Sequence, residues 1–210
     1  MDTLDYIIKK YNITDMGEMP IDIPNVGRNN LPELFNELGF KEGAEIGVES
    51  GAYSQVLCEG NPGVHLYSID PWKSHRGYRD HVNQKKLDGF YKTAKKVLAP
   101  YNCEVVRKFS MDSVNDFKDG SLDFVYIDAN HDFVNVTNDI HAWSRKVKVG
   151  GILAGHDYVI RSKWQDMQHA KLVVDSYTRA YGIRPYFVLG TKAINPGEVR
   201  DNTRSWMWVI

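Results

Sequence analysis

The apolar positions of the chain follow two alternating periods. From Ala44 onward, short runs rich in aliphatic and β-branched residues alternate with longer stretches of helical spacing. The strand-like runs are 44–48 (AEIGV), 64–69 (VHLYSI), 103–107 (CEVVR), 122–127 (LDFVYI) and 151–154 (GILA). Helical stretches fall between them at 52–60, 83–98, 111–117 and 132–146. In the last of these, Phe133, Val136, Ile140, Trp143 and Val147 share one face. Such alternation predicts a parallel sheet with helices on both sides.

The flanking regions differ. Leu4, Ile7, Ile8 and Tyr11 recur at helical spacing, and LPELFNELGF (31–40) has Pro32 in its first turn and Gly39 past its end. Between these two helices, residues 14–30 (TDMGEMPIDIPNVGRNN) are rich in Pro, Gly and Asn and predict a loop. A loop this long is usually mobile, functional or both. After a helical stretch at 162–181 come two strand-like runs, 185–190 (PYFVLG) and 204–210 (RSWMWVI). Their connection carries no helical pattern, and a parallel pair needs a crossover, so an antiparallel hairpin at the edge of the sheet is expected. Trp206 and Trp208 alternate and predict one shared, packed side of that strand.

Composition narrows the setting. The 210 residues suffice for one domain with a full core, and 26 Lys+Arg against 27 Asp+Glu give no bulk electrostatic case for nucleic acid or an anionic membrane. Two cysteines, Cys58 and Cys103, are too few for a disulfide framework and fit a reducing cytoplasm. MDTLDYIIKKYNI does not read as a signal peptide, and no window reaches a membrane span. A cytoplasmic protein is expected.

The first candidate site is EIGVESGAYS, residues 45–54, which joins the first strand of the alternating part to its helix. Gly47 and Gly51 let the backbone turn sharply and approach a ligand. The sequence is neither a P-loop nor GxGxxG, and Glu45 and Glu49 beside the turn suit a cationic ligand better than a phosphate. Asp70 follows the next strand, where an acid can accept both hydroxyls of a ribose. Taken alone, these are also ordinary residues of a strand-to-helix turn.

Together with the hairpin, the Glu-x-Gly-x-x-x-Gly turn and Asp70 resemble class I S-adenosylmethionine-dependent methyltransferases over roughly residues 30–210. The resemblance implies an α/β, Rossmann-like doubly wound fold with a mostly parallel seven-stranded sheet and an antiparallel C-terminal hairpin. It implies a single domain over 1–210: N-terminal helices and a candidate substrate lid in 1–40, and a cofactor-binding core in 44–210. It also implies S-adenosylmethionine as cofactor, with its methionine end at Glu45, Gly47, Glu49, Gly51 and Ser54 and its ribose on Asp70. In FSMDSV, Ser110, Met111 and Asp112 fall where that family contacts adenine, and Asp112 is a candidate acceptor for the exocyclic amine. The alternative for Ser110 and Asp112 is a helix cap with a first-turn acid.

The second candidate site is split between YIDANHDF (126–133) and GILAGHDY (151–158). Asp128 ends one strand run, and His156 and Asp157 end another. If those strands are neighbours, about 4.8 Å apart, then Asp128, His131, His156 and Asp157 converge beside the glycine turn as metal-competent side chains. A sulfonium is already an activated donor, and the acceptor hydroxyl is the partner that needs help. A divalent ion lowers the hydroxyl pKa, and a neutral histidine takes its proton. The plain alternative is a strand end and a helix cap.

DxxH at 128–131 with GGILAGHDY at 150–158 is similar to the metal-dependent O-methyltransferase branch that includes macrolide sugar O-methyltransferases, and to cephalosporin-hydroxylase-like proteins. By that resemblance Asp128, His156 and Asp157 are candidate ligands for Mg2+ or Mn2+, and His131 is the base. The branch usually has a carboxylate where His156 stands, and this substitution leaves a manganese, iron or zinc site, or no metal, as the alternatives to magnesium. The expected partner is a small-molecule acceptor, with no nucleic acid and no membrane; a homo-oligomer remains open. Lys73, His75, Arg76, Arg79 and His81 are candidates for an acidic substrate group, and Trp72 and Tyr158 for lining the pocket. The rival readings are a hydroxylase or other nucleotide-binding Rossmann protein, and a protein that binds cofactor without turnover.

Overall fold

A computed structural model of the chain describes residues 1–75, 83–160 and 168–210. Among the described residues eight strands form a single sheet: β1 (Ile21–Ile23), β2 (Glu42–Ile46), β3 (His65–Ile69), β4 (Cys103–Val106), β5 (Leu122–Ile127), β6 (Val147–Gly155), β7 (Phe187–Leu189) and β8 (Ser205–Val209). Their order is β1-β7-β8-β6-β5-β2-β3-β4. Among the described residues only the pairings of β8, with β6 and with β7, are antiparallel. The expected doubly wound, mostly parallel sheet with an antiparallel hairpin is therefore present.

Two details depart from expectation. The sheet has eight strands, not seven, because residues 21–23 of the segment read as a loop pair in parallel with β7. The β7–β8 hairpin is consequently not the edge of the sheet; β1 covers it. Pro and Gly around 17–27 masked a strand only three residues long, whose burial alternates in–out–in.

Alternate residues of each strand feed the two faces, as the pleat requires. Phe124, Tyr126, Ile152, Ala154 and Met207 pack on one side with α2 (Leu31–Glu37) and α3 (Ala52–Gly60). Val125, Ile127, Leu153, Trp206 and Trp208 pack on the other with α6 (Phe133–Ser144) and α7 (Ala170–Tyr181). Trp206 and Trp208 share a side as expected, their rings stacked at 4.9 Å. On α6 the buried stripe is Val136, Asp139, Ile140 and Trp143. Phe133 is instead half exposed, and Val147 already belongs to β6.

The remaining helices are α1 (Thr3–Lys10), α4 (Gln84–Leu98) and α5 (Ser110–Ser113). A 3-10 turn at Arg28–Asn30 leads into α2. Of the expected 162–181 helix, residues 170–181 are helical, and 162–167 lie outside the described residues.

Candidate active site

Parallel strands deliver their carboxyl ends to one edge of the sheet, and backbone bonds carry the alignment one residue further. The Gly47 amide donates to Ile69 O (2.9 Å), Asp128 to Ile46 O (2.8 Å), Asp70 to Val106 O (3.1 Å) and His156 to Ile127 O (3.0 Å). The residues that follow β2, β3, β5 and β6 are thereby held side by side. The turn after β2 must pass very close to β5. Gly47 has φ +91°, and a Cβ there would lie 2.1 Å from the Asp128 carbonyl oxygen, so only glycine fits.

These ends frame a cavity of about 570 Å³. Glu45, Gly47 and Glu49 line its centre with Asp70 beside them; Phe109, Ser110 and Met111 line one end, and Asp128 and His131 the other. Gly51 and Ser54 stand behind this wall. Gly51 starts α3 at φ +84°, and Ser54 is fully buried.

Glu45 is 1 % exposed, and its partner is the Ser54 hydroxyl, which in turn accepts from Ser68 Oγ at 2.9 Å. Burial raises the Glu45 pKa well above the ordinary carboxylate range, and the Ser54 bond only partly opposes this. Asp70 fastens the glycine turn: it accepts from the amides of Val48 (3.0 Å) and Glu49 (3.1 Å) on one oxygen and of Trp72 (2.7 Å) on the other. Its pKa is raised by burial, against the pull of those amides.

At the other end His131 Nε2 lies 2.6 Å from Asp157 Oδ2 and 3.5 Å from Asp128 Oδ1. Asp157 reaches it because the chain leaves β6 through a left-handed residue, φ +58° at Asp157. Asp128, His131 and Asp157 each present a ligand atom within 4.8 Å of one another. His156 is turned differently. Its Nε2 faces Thr203 Oγ1 at 3.0 Å and Asp201 at 3.7 Å, and its Nδ1 faces Asp128 Oδ2 at 3.6 Å. Burial alone would lower the His156 pKa, but Asp128 and Asp201 outweigh it and raise it to about 9. Burial would likewise raise Asp128, yet His131 and His156 hold it far below the usual carboxylate range.

Two contributors carried no expectation. Arg28, from the 3-10 turn after β1, lines the cavity and places Nη1 3.2 Å from Asp128 Oδ2 while stacking on Tyr53 at 4.8 Å. Nothing periodic in its Pro- and Gly-rich surroundings marks it. Asp139 is 4 % exposed and lines the cavity beside Ser110, bonded to the Ser110 hydroxyl. Burial pushes its pKa up to about 7, against the Ser110 bond. A signal for it did exist: an acid three residues after Val136 and four before Trp143, on the apolar stripe.

Several expected residues sit elsewhere. Asp112 is exposed on α5 and does not line the cavity, whereas Met111 does. Trp72 is fully buried, its indole N–H donating to Glu49 O at 2.7 Å, so it packs under the turn. Tyr158 is buried and donates to Asp175 at 2.5 Å, away from the cavity wall. Lys73 and His75 line the cavity; Arg76, Arg79 and His81 lie outside the described residues. Both cysteines are free thiols. No helix among the described residues is long and apolar enough to cross a membrane.

A Rossmann-like sheet with an antiparallel eighth strand, and a glycine turn fastened by the acid after the next strand, define the class. Residues 44–158 match the family described as a methyltransferase domain, and the chain belongs to it, among the class I S-adenosylmethionine-dependent methyltransferases. Similar solved structures include an O-methyltransferase from Bacillus cereus in complex with SAH (15% identity, TM-score 0.59, 99% of this chain and 90% of that one). Another is the O-methyltransferase TomG from Streptomyces achromogenes, involved in tomaymycin synthesis, in complex with SAM (16%, 0.57, 100% and 90%). The spermidine synthase of Thermotoga maritima shares the fold as well (12%, 0.56, 86% and 58%), so the fold by itself does not fix the reaction. No curated protein matches the chain by sequence.

Proposed function

We propose that the protein transfers the methyl group of S-adenosylmethionine to a hydroxyl of a small molecule, with His131 as the base. The observation that carries this is the 2.6 Å contact of His131 Nε2 with Asp157 at the cavity wall. The carboxylate accepts the Nε2–H, orients the ring and makes the other nitrogen the basic one. In an in-line displacement the acceptor oxygen bonds to the methyl carbon and its proton passes to His131. The carbon–sulfur bond breaks, and the sulfonium leaves as a neutral thioether. The buried Glu45 would ionise against the cofactor ammonium, and Asp70 would meet the ribose with the capacity its backbone bonds leave.

A second reading rests on the converging donors Asp128, His131 and Asp157. Two carboxylates and an imidazole fit a divalent ion that accepts nitrogen as well as oxygen, such as Mn2+, better than Mg2+. When bound, such an ion would lower the pKa of an acceptor hydroxyl. His131 Nε2 would then be a ligand, so the two roles of that nitrogen exclude each other. Arg28 beside Asp128 favours the first reading, because that carboxylate already faces a cation.

The test is turnover on hydroxylated acceptors, with and without chelator, in the unaltered protein and in His131→Ala. The expected result is chelator-resistant turnover that His131→Ala reduces by about 100-fold or more, with S-adenosylhomocysteine affinity unchanged. Chelator-sensitive turnover restored by Mn2+ would instead make His131 a ligand. Full activity of His131→Ala would end both readings.

A further inference from the structure

Behind Glu45, a line of small polar groups runs away from the cavity. Ser54 Oγ donates to the Glu45 carboxyl, and Ser68 Oγ donates to Ser54 Oγ at 2.9 Å. Beyond Ser68 stands the Cys103 sulfur, 3.2 Å from Ser68 Oγ. A serine has one hydroxyl proton, and Ser68 gives its own to Ser54, so the Cys103 thiol is the donor to Ser68. The line then reaches Cys58. Ser54 and Cys58 lie one turn apart on α3 and are both buried. Across from them, Cys103 on β4 pairs with Leu66 on β3, two residues from Ser68. Cys103 packs against the core cluster that contains Cys58 and Leu66, and the two thiols are hydrogen-bonded to each other. That bond holds the Cys103 thiol below its ordinary pKa, against burial. The chain has two cysteines, and the packing of α3 on β3 and β4 brings them together.

We propose that Cys58 and Cys103 form a redox switch: a hydroperoxide joins them as a disulfide, and the joined form binds the adenosyl cofactor less tightly. The effect on affinity rests on the reading that this cavity holds that cofactor; the disulfide does not. Cys103 is half-buried and Cys58 fully buried, so the Cys103 sulfur attacks the peroxide first. The oxygen–oxygen bond breaks, one water leaves and a sulfenic acid remains on Cys103. The Cys58 sulfur attacks that sulfur, the sulfur–oxygen bond breaks and a second water leaves. The thiols lose two electrons and two protons, and the peroxide takes up both as it is reduced to water. In a reducing compartment such disulfides are usually transient and redox-sensing. The new bond, about 2.05 Å long, is far shorter than a hydrogen-bonded contact and draws Cys103 away from Ser68. A disulfide sulfur also has no proton to donate. Ser68 loses its donor, and the bonds that orient Ser54 on Glu45 weaken with it, because linked hydrogen bonds polarise one another.

The experiment treats the intact protein with hydrogen peroxide and divides it between mass measurement and calorimetric titration with S-adenosylhomocysteine. The product is expected to have lost two hydrogens, to show no free thiol after unfolding, and to recover both thiols in dithiothreitol. Its affinity for S-adenosylhomocysteine is expected to fall about threefold or more, the net contribution of one ordinary hydrogen bond, and to return on reduction. Cys103→Ser, which cannot form the disulfide but can still donate to Ser68, is expected to keep its affinity through the same treatment. Ser68→Ala is expected to form the disulfide without a change in affinity. Thiols that survive the peroxide, or that gain oxygen without losing hydrogen, overturn the switch. A disulfide that leaves affinity unchanged, or a Cys103→Ser protein that loses affinity equally, overturns its link to the cavity. A Ser68→Ala protein that loses affinity on oxidation as the unaltered one does overturns the route through Ser68. If the reduced protein binds no S-adenosylhomocysteine, the cofactor reading falls and the effect on affinity falls with it, while the mass still decides the disulfide.

Discussion

Asp139 has a consequence that needs no ligand. Its folded pKa of about 7 stands above the ordinary value of 3.8, so folding takes up a proton between those values. The stability it permits is complete below about pH 4 and is lost as pH rises through 7. A shift of that size corresponds to an upper bound on the order of 4 kcal/mol. Asp139→Asn should therefore flatten the fall in denaturation midpoint between pH 5 and pH 8, and chemical unfolding at several pH values would reveal it. An unchanged pH slope would mean that the carboxyl is ionised at no cost. At this scale the sequence was most informative where chemistry coincides with a strand end. Gly47, Asp70 and Asp128 stand in line because the ladder holds them so, and His131 and Asp157, a few residues beyond strand ends, meet beside Asp128. Arg28 and Asp139 were missed for opposite reasons. One sits in a segment without period, and the other hides within a period that attracts attention only to its apolar members.

At the scale of elements, α6 links packing to chemistry. Its N-cap is Asp132, whose side chain accepts from the amides of Val134 and Asn135 at 3.0 Å each. His131 is the residue just before that cap, so the start of the helix sets where the imidazole stands. Asp132→Ala should cost about 1 kcal/mol of stability and lower kcat while leaving S-adenosylhomocysteine affinity intact. A loss of affinity equal to the loss of kcat would show that the cap shapes the whole cavity rather than the imidazole alone. Element types were legible almost throughout the alternating part, because buried parallel strands and amphipathic helices differ in both length and period. β1 was not, since three residues among prolines and glycines offer too short a pattern. Its pairing is decided by β7, more than 160 residues away in the chain.

At the scale of the molecule, the cavity is walled by segments that start at Arg28 and run to Asp139, with Asp157 joining through His131. A ligand that bridges so many strand ends should stabilise the whole sheet. At about 100 times its dissociation constant, S-adenosylhomocysteine should add about 2.7 kcal/mol. For a chain of this length that raises the melting temperature by roughly 5–10 °C. Calorimetric scanning at graded ligand concentrations would measure it, and a melting temperature that ignores the ligand would speak against binding in the cavity. The strand order was only partly legible. The hairpin followed from its helix-free connection, but the sequence held no signal that the first thirty residues would return to cover it.

That return has a bearing on how the protein is made. Among the described residues β1 pairs only with β7, and β7 is held in the sheet by β8. Arg28 is synthesised well before β7 and β8, yet the strand that precedes it has its pairing in the sheet only once residues 187–209 exist. A nascent chain halted after residue 158 already carries the whole matched methyltransferase stretch, with its glycine turn, Asp70, Asp128, His131 and Asp157. It still lacks the strands that dock β1 and bring the guanidinium to Asp128. The Arg28–Asp128 corner of the cavity is thus completed only by the meeting of distant parts of the chain, so a shorter product carries the glycine turn before it carries that contact.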